Sequence, residues 1–240
     1  MPAGSTFKVE IIEGFDRSAP SGRILARDEV TLGIARPADP ADAERLLALL
    51  SDDEKDRLSR FRFEPDRVMY LAAHALLRHT LSRHSDVAPE AWRFRRASHG
   101  RPEIANPGSR LRFSLSHTPG LAACAVVLDR DIGVDVEDLS RPGAADIAER
   151  FFSPREADAV RKAPIDERGI RFLEYWTLKE AYVKARGLGL SLPLNRFSVY
   201  NTTGNTWAIC FEPPSNDDPA RWWLRSFRIR DTHQAALAIG

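Results

Sequence analysis

The 240 residues carry a net charge of +1, with 43% hydrophobic and 29% charged side chains. That is an ordinary globular composition, with chain enough for one large domain or two small ones. It excludes a polyanion binder driven by global charge, and the longest apolar run, residues 121–128, is far too short to span a bilayer.

Cys124 and Cys210 have no metal-type spacing and fit a reducing cytosol. The opening MPAGSTFKVEIIEGF lacks the basic region and apolar run of a secretory signal. A cytoplasmic protein with no nucleic-acid and no membrane partner is expected. Residues 1–6 read as a loose tail, and residues 7–12 and 29–35 as short strands. Pro37, Pro40 and the acids around them prepare a helix over 41–50. Ser51-Asp52-Asp53-Glu54 is a capping-box pattern, which predicts a second helix to about Arg60. Pro65 stands near the start of a third, over 66–83, with Leu71, Ala75, Leu76 and Leu81 as its apolar stripe. His74, His79 and His84 follow at spacings of five. Five residues turn a helix off one face, so these read as packed or part-exposed histidines, not as a metal pair. Arginine is dense over 57–67 and 93–101, which predicts a local anionic ligand.

From Trp92 the pattern turns to β. Residues 97–102 contain a glycine turn. Leu111, Phe113 and Leu115 alternate with Arg112, Ser114 and Ser116, the period of a strand. Thr118-Pro119-Gly120 turns it into a buried strand over 121–128. A third strand covers 132–137, and the three are expected to be neighbours. His117 stands at the hairpin mouth, where side chains are exposed for binding. Residues 138–145 read as a polar connector and 146–152 as a short helix. Ser153-Pro154-Arg155-Glu156 is a second capping box, with proline at the first helical position. A long helix over 167–186 is stopped by Gly187 and Gly189. Strands over 197–201, 207–211, 222–230 and 234–239, with turns over 201–205 and 213–219, close the sequence.

Two stretches carry chemistry. In the first, Ile132, Val134 and Val136 alternate with Gly133, Asp135 and Glu137. Period two puts the apolar set on the core face and both carboxylates on the other. Two such carboxylates can bridge one hard cation, and Mg²⁺ is usually held by one or two carboxylates, waters and substrate phosphates. The same alternation is also how any half-exposed strand reads. In the second stretch, Trp176, Glu180 and Lys184 recur every four residues along one helical stripe, with Lys179 beside it. Alone, this is equally a surface Glu–Lys pairing worth about 0.2–0.5 kcal/mol.

Together, GVDVE at 133–137, FFSPRE at 151–156 and WTLKEAYVKARGLGLSLPL at 176–194 resemble the signature of the 4'-phosphopantetheinyl transferases. The type resembled is the broad-specificity, surfactin-synthetase-activating one. Gly100-Arg101-Pro102 and Phe113-Ser114-Leu115-Ser116-His117 resemble two further blocks of that family, so the resemblance runs from about Arg57 to about Val199. It implies an α+β fold duplicated about a pseudo-twofold axis. Its two similar halves, residues 1–130 and 131–240, would each have a small antiparallel sheet packed on helices, with coenzyme A in the cleft between them. Each half does show an S-x-x-E capped helix, a longer helix, then strands, a weak internal sign of duplication.

The resemblance also implies the reaction: transfer of 4'-phosphopantetheine from coenzyme A to a serine of apo acyl or peptidyl carrier proteins, releasing adenosine 3',5'-bisphosphate. Asp135, Glu137 and Glu180 would hold Mg²⁺, with Mn²⁺ as its substitute. Glu180, or alternatively Glu137, would accept the serine proton. Lys179 and Lys184 would face the pyrophosphate, and Arg67, Arg101, Pro102, Ser116 and His117 would complete the coenzyme A set. Trp176 is expected to be a packing anchor and Glu156 a supporting residue. Arg101 stands where the family usually has lysine, and Met69 where it often has a cation, so a contact there falls to Arg67. The family's carriers present an acidic helix, which implies a basic and apolar dock, with the 138–145 connector as one part. A monomer containing its own pseudo-dimer is expected. Two other readings use the same residues: a Mg²⁺-dependent hydrolase of a nucleotide pyrophosphate, and a non-catalytic coenzyme A- or carrier-binding module.

Overall fold

The structure, a computed structural model, describes residues 6–15, 22–97, 99–140, 145–211 and 217–240. The tail expected over 1–6 falls outside the described residues except for Thr6, as do residues 141–144 of the 138–145 connector and residues 213–216 of the 213–219 turn. The fold is α+β, with small and mainly antiparallel sheets packed on helices. It divides into two compact units, one of Phe7–Arg130 and one built on Asp131–Gly240.

In the first unit, strand β1 (Lys8–Glu13) pairs in parallel with β2 (Glu29–Ala35). Helices α1 (Ala43–Leu47) and α2 (Asp52–Ser59) lead into the long α3 (Glu64–Ser82). A short hairpin of β3 (Phe94–Arg96) and β4 (Pro102–Ile104) follows, then β5 (Leu111–Thr118) and β6 (Leu121–Leu128). The main sheet has the order β1-β2-β6-β5. From Met69 to Leu81 helix α3 is buried on most sides because it is covered from two directions. Met69, Ala73, Leu76 and Leu77 pack with Leu111, Phe113 and Val126 of the sheet. Tyr70, Leu71 and Ala75 pack with Leu46, Leu49 and Leu58 from the α1–α2 region. The capping box of α2 forms as read, Ser51 N–H donating to Glu54 Oε2 at 2.8 Å. The helix expected over 41–50 is shorter: a 3₁₀ turn at Pro40–Asp42, capped by Asp39, and then the five residues of α1. Strands β3 and β4 were not legible in the sequence, since three residues show no period.

The second unit contains β7 (Ile132–Asp138), α4 (Ala145–Phe151), α5 (Pro154–Lys162), α6 (Arg168–Arg186), β8 (Phe197–Thr203), β9 (Thr206–Phe211), β10 (Trp223–Ile229) and β11 (His233–Ile239). Its sheet has the order β7-β11-β10-β9-β8. The expectation that residues 132–137 neighbour 121–128 is corrected here. Strand β7 pairs antiparallel with β11, from Ile132 opposite Ile239 to Asp138 opposite His233. The residues between β6 and β7 do not close a hairpin: Asp129 takes a left-handed φ of 54° and its N–H donates back to Arg110 O, where the chain leaves the first sheet. Helix α6 packs on β7 and β11 through Leu178, Ala181, Tyr182 and Ala185, and on Phe152, Phe197 and Trp207 elsewhere in the same core. Gly187, at φ 65°, ends it as predicted, its N–H donating to the carbonyls of Val183 and Lys184.

Candidate active site

Period two places Gly133, Asp135 and Glu137 on one face of β7. The sequence suggested that this face looks away from the core. Instead it lies under α6: a side chain added at Gly133 would run into the helix backbone at Ala181 and Ala185. Asp135 is accordingly buried, and Glu137, nearer the strand end, is part-buried. A strand covered on both faces still alternates in sequence when the covering helix brings a cation to its acids.

That cation is Lys184. Its ammonium donates to Asp135 Oδ1 at 2.7 Å. Glu180 lies one turn earlier on the same stripe and is part-buried. Burial is the main influence pushing its carboxyl above the ordinary range; Asp135 and Glu137 push the same way and Lys184 opposes them. So the predicted three carboxylates and one lysine are in electrostatic contact. Trp176, a further turn back, stacks on Phe172 at 5.7 Å and meets Phe151 edge-on at 6.5 Å, which makes it the expected anchor. The donor set is all hard oxygen, and like-charge crowding of this kind is relieved by a divalent cation, so it fits Mg²⁺ or Mn²⁺. Among the described residues no three acidic, histidine or cysteine side chains form a ready-made cage. Mg²⁺ ordinarily completes its shell with water and substrate phosphates.

Lys179 does not join this cluster, and its assignment to coenzyme A is corrected. It sits about 100° round the helix from Glu180 and points into the core, fully buried with Glu156 as partner at 2.8 Å. It also donates to Leu194 O at 2.8 Å and Phe197 O at 2.6 Å. Three donors meet three acceptors, and none is left for a pyrophosphate. Burial pushes the ammonium's pKa down and Glu156 opposes that. Glu156 also caps α5 through Ser153 and accepts from Val199 N–H at 2.8 Å, so its supporting role is structural.

The remaining predicted residues belong to the first unit. Arg101 lines a cavity of about 160 Å³ with Arg95, Pro102, Glu103, Ser109 and Arg112. Ser116 and His117 lie further along β5, Ser116 buried and His117 exposed. Arg67 is exposed and paired with Glu64 one turn back at 3.3 Å. Met69 is a core residue of the α3–sheet interface, which is why methionine suits that position. A second cavity of about 700 Å³ was not foreseen. Arg57 and Arg60 of the α2 end and Arg96 of β3 surround it with Asp53, Asp56 and Phe61. The two arginine-dense stretches were the sequence signal; their convergence is long-range and depends on the unread β3. His84 and His74 are structural. His84 bonds to Arg23 O and to Thr31 Oγ1, and burial lowers its pKa. His74 bonds to Glu54 at 2.8 Å and stacks on Tyr70 at 4.0 Å.

An α+β scaffold that brings three carboxylates and a lysine together on a helix and a strand has the chemical groups that phosphoryl transfer uses. Residues 131–238 match the model of the 4'-phosphopantetheinyl transferase superfamily, and residues 37–128 match that of 4'-phosphopantetheinyl transferase, N-terminal. The chain is 38% identical to the 4'-phosphopantetheinyl transferase HetI of Nostoc sp. over 225 residues, covering 92% of this chain and 91% of that one. It is 33% identical to a 4'-phosphopantetheinyl transferase of Bacillus subtilis and 32% identical to the Bacillus subtilis transferase Sfp, each over 84% of this chain and 87% of the relative. The chain belongs to the 4'-phosphopantetheinyl transferase superfamily, as the motifs implied. Among the described residues no helix is long and apolar enough to cross a membrane.

Proposed function

We propose that the chain transfers 4'-phosphopantetheine from coenzyme A to a serine of apo acyl or peptidyl carrier proteins and releases adenosine 3',5'-bisphosphate. The observation that carries this reading is the contact of Lys184 with Asp135 beside Glu180, on motifs that match the family. Asp135, Glu137 and Glu180 would hold Mg²⁺ or Mn²⁺. When bound, the ion supplies charge neutralisation at the pyrophosphate and at its leaving oxygen. Lys184 faces the same phosphates as a point charge. Glu180, whose raised pKa makes it the stronger base, accepts the serine proton directly or through water; Glu137 is the alternative. Positioning of the two reactants does much of the rest.

Arg101, Pro102, Ser116 and His117 are assigned to coenzyme A, with Arg101 and His117 on its 3'-phosphate. The cavity ringed by Arg57, Arg60 and Arg96 is a further anion site suited to the same ligand. For the carrier dock, α4 offers exposed Ile147 and Phe151 beside Arg150, next to the 138–145 connector. Phe151→Ala then raises KM for the carrier and not for coenzyme A; an unchanged carrier KM removes α4 from the dock. The protein is read as a cytoplasmic monomer. Product analysis tests the reaction itself. Adenosine 3',5'-bisphosphate together with holo carrier supports transfer, free phosphopantetheine with unmodified carrier supports hydrolysis, and coenzyme A binding without turnover supports a binding module.

A further inference from the structure

Helix α6 and strand β7 approach at Gly133 more closely than side chains allow. A methyl group on Gly133 would lie 1.8 Å from the Ala181 carbonyl oxygen, 2.8 Å from its carbon and 2.7 Å from the Ala185 nitrogen. All three are backbone atoms, so no change of rotamer makes room. Gly133 is not among the residues with positive φ, so glycine is required here for space and not for its backbone angle. The surrounding seat is small as well. Ala238 and Ala236 stand opposite Gly133 and Asp135 in the β7–β11 register, and Ala181 and Ala185 form the fully buried helix side.

Asp135 is two residues from Gly133 on the same face, and Lys184 and Glu180 flank Ala181 and Ala185 on the helix. The depth at which α6 sits on β7 therefore sets the reach of Lys184 to Asp135 and the distance of Glu180 from both strand carboxylates. We propose that Gly133 is a positioning residue of the active site: it fixes the helix-to-strand separation that assembles Asp135, Glu137, Glu180 and Lys184. This rests on the transferase reading of that cluster. A Cβ at this position forces the two elements apart by roughly 1.5 Å before contacts become ordinary. Displacements of about 1 Å in a catalytic constellation can cost on the order of 100-fold in rate.

The test compares Gly133→Ala with Val136→Ala, a cavity-forming change on the opposite face of the same strand that also lowers stability. Four quantities are read in the full chain: kcat and KM for coenzyme A with an apo carrier and Mg²⁺, the affinity for Mn²⁺ alone by calorimetry, and the Lys184–Asp135 separation in a crystal structure. Gly133→Ala should lower kcat about 100-fold while KM for coenzyme A stays within about threefold. It should weaken Mn²⁺ binding about tenfold or more and lengthen the Lys184–Asp135 contact beyond hydrogen-bond range. Val136→Ala should lower the melting temperature and leave kcat and Mn²⁺ affinity within about twofold. Should Gly133→Ala fail to fold, Ala238→Val lifts the same seat through a side chain and should move kcat, the Mn²⁺ affinity and the Lys184–Asp135 separation in the same direction by less. Wild-type kcat and Mn²⁺ affinity in a folded Gly133→Ala, or equal losses in Val136→Ala, overturn the proposal. If wild type binds Mn²⁺ but transfers nothing, the transferase reading falls, and the Mn²⁺ affinity and the distance still decide the role of Gly133.

Discussion

Lys184 on helix α6 and Asp135 on strand β7 are joined by a 2.7 Å hydrogen bond between an ammonium and a buried carboxylate. Glu180 stands one helical turn away, its pKa raised by burial and by the two strand acids. The contact gives the cluster an internal cation, which offsets part of the carboxylate crowding before any metal or phosphate arrives.

Removing either partner separates catalysis from folding. Asp135→Ala and Lys184→Ala should each lower kcat for carrier modification by about 100-fold or more, the scale of losing one electrostatic contact to a transition state. Lys184→Ala also leaves the buried Asp135 carboxylate without its cation and should lower stability, but by less than the loss of Lys179 does because Lys184 is part-exposed, and both variants should remain folded. Circular dichroism and single-turnover kinetics on the same samples check this. A near-normal rate in Asp135→Ala removes that carboxylate from the mechanism.

Lys179 behaves in the opposite way. Lys179→Met leaves Glu156 buried without its cation and should cost about 3–5 kcal/mol of stability. Adding Glu156→Gln should recover part of that loss: the neutral amide no longer needs the cation, but its single oxygen can accept from only one of Ser153 N–H and Val199 N–H. KM for coenzyme A should be unchanged in the folded single mutant. A rise in KM with unchanged stability would return Lys179 to the ligand.

Glu54 links stability to acid. Burial would raise its pKa, but bonds from His74, the Ser51 backbone and Arg78 hold it down, from 4.5 to about 2. A carboxyl with a depressed folded pKa stabilises above its unfolded value and loses that contribution as pH falls through the folded one. About 3 kcal/mol should therefore be present above pH 4.5 and be lost toward pH 2. Urea melts from pH 6 to pH 3 should show a smaller pH slope in Glu54→Gln than in wild type. Parallel slopes would show that the capping box does not titrate as described.

Much of this was legible because it was local. The capping boxes at Ser51 and Ser153 and the Gly187 stop depend on a few adjacent residues, and each formed as read. The stripe of Trp176, Glu180 and Lys184 was likewise fixed by helical period. What failed was long-range. Strand pairing of residues 132–137 with β11 involves a partner a hundred residues away, and proximity in sequence favoured the wrong neighbour. Lys179 reads like Lys184 in sequence, and only the packing of Glu156, Leu194 and Phe197 around it separates a core lysine from a site lysine. The Arg57–Arg60–Arg96 cavity required a three-residue strand too short to show a pattern.

Arg101 is assigned to the 3'-phosphate of coenzyme A. A charge-assisted bond to phosphate is worth about 1.5–3 kcal/mol, so Arg101→Ala should raise the Kd for coenzyme A at least about tenfold. Binding of 3'-dephospho-coenzyme A should scarcely change, and Arg101→Lys should restore much of the affinity for coenzyme A. Titrating both ligands against wild type and variants decides it. An equal penalty for the two ligands removes Arg101 from the 3'-phosphate.

In the reaction proposed, this chain's carboxylate–lysine cluster moves phosphopantetheine onto a carrier serine. Intact-mass spectrometry of an apo carrier protein, incubated with the protein, coenzyme A and Mg²⁺, tests it most directly. Wild type should add the mass of one phosphopantetheine to the carrier, with no gain when the carrier serine is replaced by alanine, and none with Glu180→Gln or with chelated metal. An unmodified carrier with active, folded wild-type protein, or full modification by Glu180→Gln, would contradict it.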